Sequence, residues 1–270
     1  MSKFIERRKS GHSVRKQIVV LYHSNCSDGF GAAYSAWKKF GSRAEYVAVQ
    51  HQMPPPKGLT DKEIYSVDFA YPIPITKKLI RENKRVTAID HHISSKTATL
   101  LTEKPLYAVN HSGAVLSWKY FHSGKKVPLL LSYIEDTDIW KFKLPHTKEI
   151  FAYLDLFNFD FRVWDKLVRE FENPKRRKHW LQAGSIILKN EDRLISRLVA
   201  NNKELVRFAG KKIYAINSPL FQSEIGHILS AMKPPIAIVW KEKQGNIFVS
   251  LRSDGSVDVS KIAKRFGGGG

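Results

Sequence analysis

The sequence contains a single cysteine, Cys26, and no long apolar run. One thiol cannot form a disulfide within the chain, which excludes the disulfide-stabilised class of secreted domains and favours a reducing compartment such as the cytoplasm. No apolar run approaches the roughly 20 residues that span a bilayer, so we expect no membrane segment. Residues 1–16 are basic without an apolar centre, which predicts a loose basic arm and no secretory signal.

Acidic residues are also scarce. The chain has 25 Asp and Glu against 45 Lys and Arg, a formal net charge of +20. Such a charge favours polyanions as partners, although a merely basic surface would have the same composition. Hydrophobic residues make up 43% of the chain, enough for a buried core, which excludes a disordered tail.

The first half of the chain alternates strand and helix patterns. β-branched apolar runs predict strands over 17–23, 45–49, 63–69 and 85–89, and helices are predicted after Gly29 and over 73–84. Strands that alternate with helices indicate βαβ units and a largely parallel sheet. We therefore predict an α/β fold with a parallel-sheet domain over residues 17–145.

The second half begins with helical periodicity and ends with short strands. The pattern is helical from 112, and a connector over 146–205 is helical with an interruption near Asn173–Pro174. Short strands then enclose a helix at 222–232, and a last helix is predicted at 257–266. This pattern predicts a smaller α/β domain over 206–270.

Acidic and histidine side chains follow the predicted parallel strands. In such a sheet, functional groups gather at the carboxyl ends of the strands. Taken singly, Asp28 could cap a helix, Asp68 could be a turn residue and Asp136 a solvated helix-end charge. Crowded at one edge, they would repel unless cations neutralised them. The candidate set is His23, Asp28, Asp68, Asp90, His91, His92 and Asp136.

This donor set favours two divalent cations. Oxygen-rich ligands with one or two imidazoles suit Mn²⁺ or Mg²⁺. Two such ions at about 3.5–4 Å can share a phosphoryl oxygen and activate a water. We choose Asp68 as the bridging carboxylate, and Asp138 is the alternative to Asp136 because the two are only two positions apart.

The same residues lie in motifs that resemble the DHH phosphoesterase superfamily with a C-terminal DHHA1 domain. The triplet of the name is Asp90-His91-His92, and the first motif is similar to the H-x-x-C-x-D-G branch. The resemblance covers about residues 17–270. The other stretches that carry it are "YSVDFA" (65–70), "NHSGAVLSWKYF" (110–121), "YIEDTDIW" (133–140), "VSLRS" (249–253) and "VDVSKIAKRFGGGG" (257–270).

The resemblance implies a role for each matched residue. It implies metal ligation by His23, Asp28, Asp68, His91 and Asp136, and orientation of the adjacent imidazoles by Asp90. His92 would act on the phosphate as acid or electrostatic stabiliser. The substrate's terminal phosphate would lie against Arg252 and the amides of Gly267, Gly268, Gly269 and Gly270. Ser112 and Gly113 either bind phosphate at a helix N-terminus or simply begin that helix.

Two departures from the family pattern bear on these expectations. Cys26 stands where many relatives carry an aspartate, so it is either a softer metal ligand or a small buried residue. The histidine that normally follows the DHHA1 glycines is missing, and we expect a chain truncated within that motif.

The sequence thus predicts a hydrolase. We expect a metal-dependent phosphoesterase that cleaves a phosphodiester or phosphomonoester of a nucleotide or short oligonucleotide through a two-metal-activated hydroxide. A short-RNA nuclease, an exonuclease on short oligonucleotides, a cyclic-dinucleotide phosphodiesterase and a nucleotide 3′-phosphatase all stay open, as does a homodimer. The alternative is a catalytically inactive nucleic-acid-binding protein on the same fold.

Overall fold

The computed structural model describes residues 16–50 and 53–268, which form two compact units. The first contains the described residues up to His91 together with Ser95–Ile139, and the second contains His92–Ser94 with the described residues from Trp140 onward. The predicted α/β class is confirmed. The predicted arm lies almost wholly outside the described residues, and the assignment of domains to DHH and DHHA1 stays a prediction.

The first unit is built on a five-stranded parallel sheet with the order β2-β1-β3-β4-β5. The fifth strand is only two residues long, too short for a pattern to predict it. The strands are β1 (Ile18–His23), β2 (Ala44–Val49), β3 (Glu63–Val67), β4 (Arg85–Asp90) and β5 (Leu106–Tyr107).

Five α-helices accompany this sheet. The first begins at Ser27, before its predicted start at Gly29, because the Cys26 carbonyl already accepts a 2.9 Å bond from the Phe30 amide. The helices are α1 (Ser27–Phe40), α2 (Ile73–Glu82), α3 (Lys96–Leu100), α4 (Gly113–Phe121) and α5 (Leu129–Asp138).

Both faces of the sheet are buried. Along β1, Val19 and Leu21 belong to one hydrophobic cluster and Val20, between them, belongs to a second. Alternate residues of a strand point to opposite faces, so this division is what a sheet covered on both sides requires. Each such side chain contributes about 1.5–3 kcal/mol by leaving water. The sheet is therefore a rigid support for the groups at its carboxyl edge.

The second unit has a four-stranded mixed sheet with the order β6-β7-β8-β9, in which only β7 and β8 are parallel. The helical pattern predicted to 205 ends at Asn202, because residues from Glu204 onward pair antiparallel with β7. The strands are β6 (Glu204–Phe208), β7 (Lys211–Asn217), β8 (Ile236–Lys243) and β9 (Asn246–Ser253).

Five helices complete this unit, and the predicted interruption at Asn173–Pro174 is a helix start. The Asn173 side chain accepts bonds from the Lys175 and Arg176 amides at 2.9 and 3.4 Å, and Pro174 takes the first helical position. The helices are α6 (Thr147–Leu154), α7 (Phe161–Glu172), α8 (Pro174–Asn202), α9 (Gln222–Met232) and α10 (Val259–Lys264).

Helices α6 and α8 cross very closely at Gly184. A Cβ atom at this position would lie 1.8 Å from the Glu149 carbonyl oxygen, so only glycine fits there. Within residues 16–50 and 53–268, no helix is both long and apolar enough to cross a bilayer.

Candidate metal centre

Three neighbouring strands of the first unit end in candidate ligands. β3 lies between β1 and β4 in the sheet. His23 is the last residue of β1, Asp68 follows β3 directly, and His91 follows β4. Because the strands are parallel and in register, their carboxyl ends meet at one edge. The predicted convergence of these three side chains is present.

Asp68 occupies the centre of this edge. Its backbone has a φ of 62°, a left-handed conformation that aspartate tolerates better than most residues, and its amide donates a 2.9 Å bond to the Ile89 carbonyl. One carboxylate oxygen lies 3.7 Å from His23 Nδ1, and the other lies 3.3 Å from His91 Nε2. The two oxygens of Asp68 therefore face two different imidazoles.

One set of donors gathers around His91. His91 Nε2 lies 3.8 Å from an oxygen of Asp28 and 3.5 Å from an oxygen of Asp138. These three residues each offer one ligand atom, and the atoms lie within 4.8 Å of one another. We call Asp28, His91 and Asp138 the oxygen-rich group.

A second set gathers around His23. His23, Cys26 and Asp68 also offer ligand atoms within 4.8 Å of one another. Asp68 lies beside both sets, since it belongs to this one and contacts His91 in the other. We call His23, Cys26 and Asp68 the sulfur-containing group.

Helix α4 holds Asp28 in place. The Asp28 carboxylate accepts bonds from the Gly113 and Ala114 amides at 2.6 and 2.9 Å. Asp28 thus caps the start of α4 and not that of its own helix, which corrects the capping role considered for it from sequence. Free amides at a helix start favour a negative charge, so they stabilise this buried carboxylate.

Close packing at two glycines makes this arrangement possible. A Cβ atom at Gly113 would lie 2.5 Å from Asp68 Oδ1, and one at Gly29 would lie 2.1 Å from the His23 carbonyl oxygen. Any larger residue at either position would displace a proposed ligand.

The carboxylates repel one another strongly. Burial, followed by the nearby charges of Asp68 and Asp138, raises the pKa of Asp28 well above its usual value. Burial, with the charges of Asp68 and Asp28, raises the pKa of the Cys26 thiol to about 12. A divalent cation would reverse both effects, because it favours the ionised form of each group.

Asp90 is fully buried and holds the loop that carries His91. Its carboxylate accepts a 2.7 Å bond from the His91 amide and another from the Ser95 hydroxyl. The contact with the His91 amide fixes the direction of the chain as it leaves β4, and orientation of the imidazoles by Asp90 stays a prediction. His92 belongs to the second unit, so its predicted role stays a prediction.

Of the two aspartates left open in α5, Asp138 lies in the oxygen-rich group. Asp136 is buried, and among the donor groups found in residues 16–50 and 53–268 it does not appear. The geometry therefore favours Asp138, and ligation by Asp136 stays a prediction.

Ser112 begins α4, as one of its two interpretations proposed. Its hydroxyl accepts from the Val115 amide at 3.4 Å, and its own amide donates to Glu135 at 3.0 Å. Since the next two amides donate to Asp28, a phosphate at this helix start would have to displace existing partners.

The predicted phosphate residues of the second unit have partners within the chain. Arg252 donates to the Ser223 hydroxyl at 2.7 Å and to the Leu251 carbonyl at 2.9 Å. The Gly267 and Gly268 amides donate to carbonyls at the end of α10, and the φ of +75° at Gly267 matches a left-handed helix end. Gly269 and Gly270 lie outside the described residues, and a phosphate cradle here stays a prediction.

Sequence reasoning missed several supporting residues. It assigned no role to Glu135, which accepts a bond from the Ser112 amide, or to Ser95, which donates to Asp90. Gly113 was considered only as a phosphate-binding or helix-start residue, and its close contact with Asp68 was not predicted. Their contacts join segments far apart in the chain, so no local pattern indicates them. The sequence indicated these close contacts only through two separate glycines, one directly after Asp28 and one directly after Ser112.

The residues present are chemically suited to divalent cations. Carboxylates and imidazoles are the ordinary ligands of Mn²⁺ and Mg²⁺, and the buried negative charge described above requires neutralisation. A pair of divalent ions needs ligands for each ion and a carboxylate between them, and the two donor groups with Asp68 beside both provide this arrangement.

Comparison with known proteins does not identify this chain. No protein-family profile matches the sequence. An uncharacterized protein of Acanthamoeba polyphaga mimivirus is 30% identical over 280 aligned residues, which cover 93% of this chain. The chain spans 65% of the length of that relative. An uncharacterized protein from Helicobacter pylori matches with a TM-score of 0.47 and 13% identity, covering 92% of this chain and 88% of the other, and it supports no inference.

Proposed function

We propose that this protein is a metal-dependent phosphoesterase that hydrolyses a phosphodiester or phosphomonoester of a nucleotide or short oligonucleotide. The observation that carries the proposal is the position of Asp68, whose two oxygens lie near imidazoles of two separate donor groups. A carboxylate so placed can bridge two cations. The motifs that resemble the DHH phosphoesterases support the same reaction class.

The ions would be held by the two groups already defined. His23, Cys26 and Asp68 would hold one, and Asp28, His91 and Asp138, with the second oxygen of Asp68, would hold the other. Bound there, a pair of Mn²⁺ or Mg²⁺ ions would supply positive charge for the phosphoryl oxygens and lower the pKa of a water.

The protein's own residues keep these ligands in position. The α4 amides fix Asp28, and Asp90 fixes the start of the His91 loop. Ligands held by such contacts do not reorganise when substrate binds. His92 would then stabilise or protonate the phosphate, and Arg252 would contact it, as the resemblance implies.

The net charge of +20 supports a nucleotidyl or oligonucleotide substrate, because a basic protein attracts polyanions. The single cysteine supports a reducing compartment, and we propose the cytoplasm. A homodimer is compatible with this function.

One observation favours a second candidate, a catalytically inactive nucleic-acid-binding protein. Cys26 stands in the sulfur-containing group at a position where many DHH proteins carry an aspartate. Loss of an oxygen ligand could leave one site too weak for catalysis.

A chelation experiment separates the two candidates. The full chain is treated with a chelator, and hydrolysis of bis(p-nitrophenyl) phosphate and of a short RNA is measured before and after adding back Mn²⁺. The phosphoesterase predicts activity that disappears on chelation and returns with Mn²⁺. Nucleic-acid binding without turnover at any Mn²⁺ concentration would favour the inactive candidate.

A further inference from the structure

The two donor groups differ in their chemistry. The sulfur-containing group offers one nitrogen, one sulfur and one oxygen, from His23, Cys26 and Asp68. The oxygen-rich group offers one nitrogen from His91 and the remaining donors are carboxylate oxygens. Thiolate ligands favour zinc-type ions, whereas carboxylates favour Mn²⁺ and Mg²⁺. Two sites of such different softness will not prefer the same ion.

We propose that Cys26 is a direct ligand of the first ion and that the sulfur-containing group therefore selects a Zn²⁺-type ion, while the oxygen-rich group takes Mn²⁺ or Mg²⁺. The inference rests on the metal-binding part of the proposed function and not on hydrolysis. Three protein ligands with a further position open is the usual arrangement of a catalytic zinc.

The chain between the two ligands is shaped to bring them together. His23 ends β1, and Cys26 stands three residues later, directly before α1. Between them, Asn25 has a φ of 55°, a left-handed conformation that reverses the chain. Cys26 itself is extended, with φ −137° and ψ 132°, as the residue that precedes a helix normally is.

The surroundings of the thiol do not match those of a cysteine that only fills space. A structural cysteine behaves as a small hydrophobe among apolar neighbours. The Cys26 sulfur instead lies within 4.8 Å of a ligand nitrogen of His23 and a carboxylate oxygen of Asp68.

Cobalt tests this inference directly, because Co²⁺ replaces Zn²⁺ and a sulfur-to-cobalt charge-transfer band reports a thiolate ligand. The metal-free full chain is titrated with Co²⁺ and followed by absorption spectroscopy. Cys26 is the single cysteine, so a thiolate band can come from no other residue. We expect the band to appear with the first equivalent of Co²⁺ and to disappear when Zn²⁺ is added.

Three variants make the result specific. Cys26→Ser should lose the band and weaken Zn²⁺ binding at least tenfold, since removal of residues that merely support metal ligands already costs roughly 10–100-fold. Cys26→Asp should lose the band but regain binding with a preference for Mn²⁺. Ser27→Ala, which changes the neighbouring residue, should keep the band and the affinity.

The outcomes separate this inference from the proposed function. Tight Co²⁺ binding without a charge-transfer band, or unchanged Zn²⁺ affinity in Cys26→Ser, would overturn the role of Cys26 and leave a metal-dependent phosphoesterase intact. Absence of any Co²⁺, Zn²⁺ or Mn²⁺ binding would overturn both. A band in the wild type with no hydrolysis would support the inference and contradict the phosphoesterase.

Discussion

The backbone of Gly113 lies directly against the carboxylate of Asp68, so that a Cβ atom on the glycine would be 2.5 Å from Asp68 Oδ1. The start of α4 thus limits where this carboxylate can sit. Since the same helix start binds Asp28 through the Gly113 and Ala114 amides, one backbone segment fixes carboxylates that serve both donor groups.

Gly113→Ala should therefore impair metal binding. In an unobstructed helix the change from glycine to alanine stabilises by roughly 1 kcal/mol. Here overpacking should destabilise by about 1–3 kcal/mol instead, and displacement of Asp68 should weaken Mn²⁺ binding. Urea unfolding and a Mn²⁺ titration measure the two effects. A more stable variant with normal Mn²⁺ affinity would show that the contact does not constrain Asp68.

Asp28 and Asp138 should differ in what they contribute. Asp28→Asn places an amide N–H where the carboxylate accepts bonds from α4, so it should cost about 1–3 kcal/mol of stability as well as metal affinity. Asp138→Asn should lower metal affinity with less effect on stability, because its side chain is 24% exposed. Urea unfolding of the metal-free variants distinguishes them, and equal stability losses would contradict the capping role of Asp28.

The stability of the metal-free protein should fall as pH rises. The raised pKa of Asp28 means that the folded state keeps this proton at a pH where the unfolded chain, with a pKa near 3.8, has released it. The Asp28 contribution is thus fully present below that unfolded pKa. It is lost as pH rises through the raised folded pKa.

Thermal unfolding of the chelated protein at several pH values from 4 upward measures this dependence. Asp138→Asn removes one of the charges that raise the pKa, so its stability should fall less steeply. Saturating Mn²⁺ should reverse the trend, because metal binding requires the ionised carboxylates. Identical slopes for the wild type and Asp138→Asn would contradict the coupling.

A change in the second unit should affect stability alone. Gly184→Ala places a Cβ atom 1.8 Å from the Glu149 carbonyl oxygen and should force α6 and α8 apart, at a cost of at least about 1–3 kcal/mol. Ser185→Ala, on the exposed side of the same helix, is the matched control and should be neutral or slightly stabilising. Both variants should keep wild-type Mn²⁺ affinity. A loss of Mn²⁺ affinity in Gly184→Ala would show that this packing contact affects metal binding as well as stability.

Periodicity was sufficient to predict most of the strands and helices of the fold. The strands that carry His23, Asp68 and His91 are buried apolar runs with turns at their ends, and parallel strands place those ends together. The strand at Glu204–Phe208 was not predicted, because the preceding helix continues to Asn202 and the residues of the strand are mostly exposed. A pattern of burial cannot indicate a strand whose faces are largely in water.

The choice between Asp136 and Asp138 was not available from sequence. Positions two residues apart on a helix point about 200° away from each other, so the answer depends on the rotation of α5 about its axis. That rotation is set by tertiary packing. The contact of Gly113 with Asp68 likewise joins two segments that are distant in the chain and leaves no local signal.

The central claim is that Asp68 bridges two ions, and counting the bound ions tests it most directly. Bound Mn²⁺ and Zn²⁺ are counted together per chain by metal analysis after equilibrium dialysis against both ions, for the wild type, for Asp68→Asn and for Asp192→Asn, an exposed aspartate of α8 that serves as control. We predict two ions for the wild type and for Asp192→Asn, and at most one for Asp68→Asn, because a neutral amide cannot bridge two cations. Two tightly bound ions in Asp68→Asn, or none in the wild type, would contradict the account.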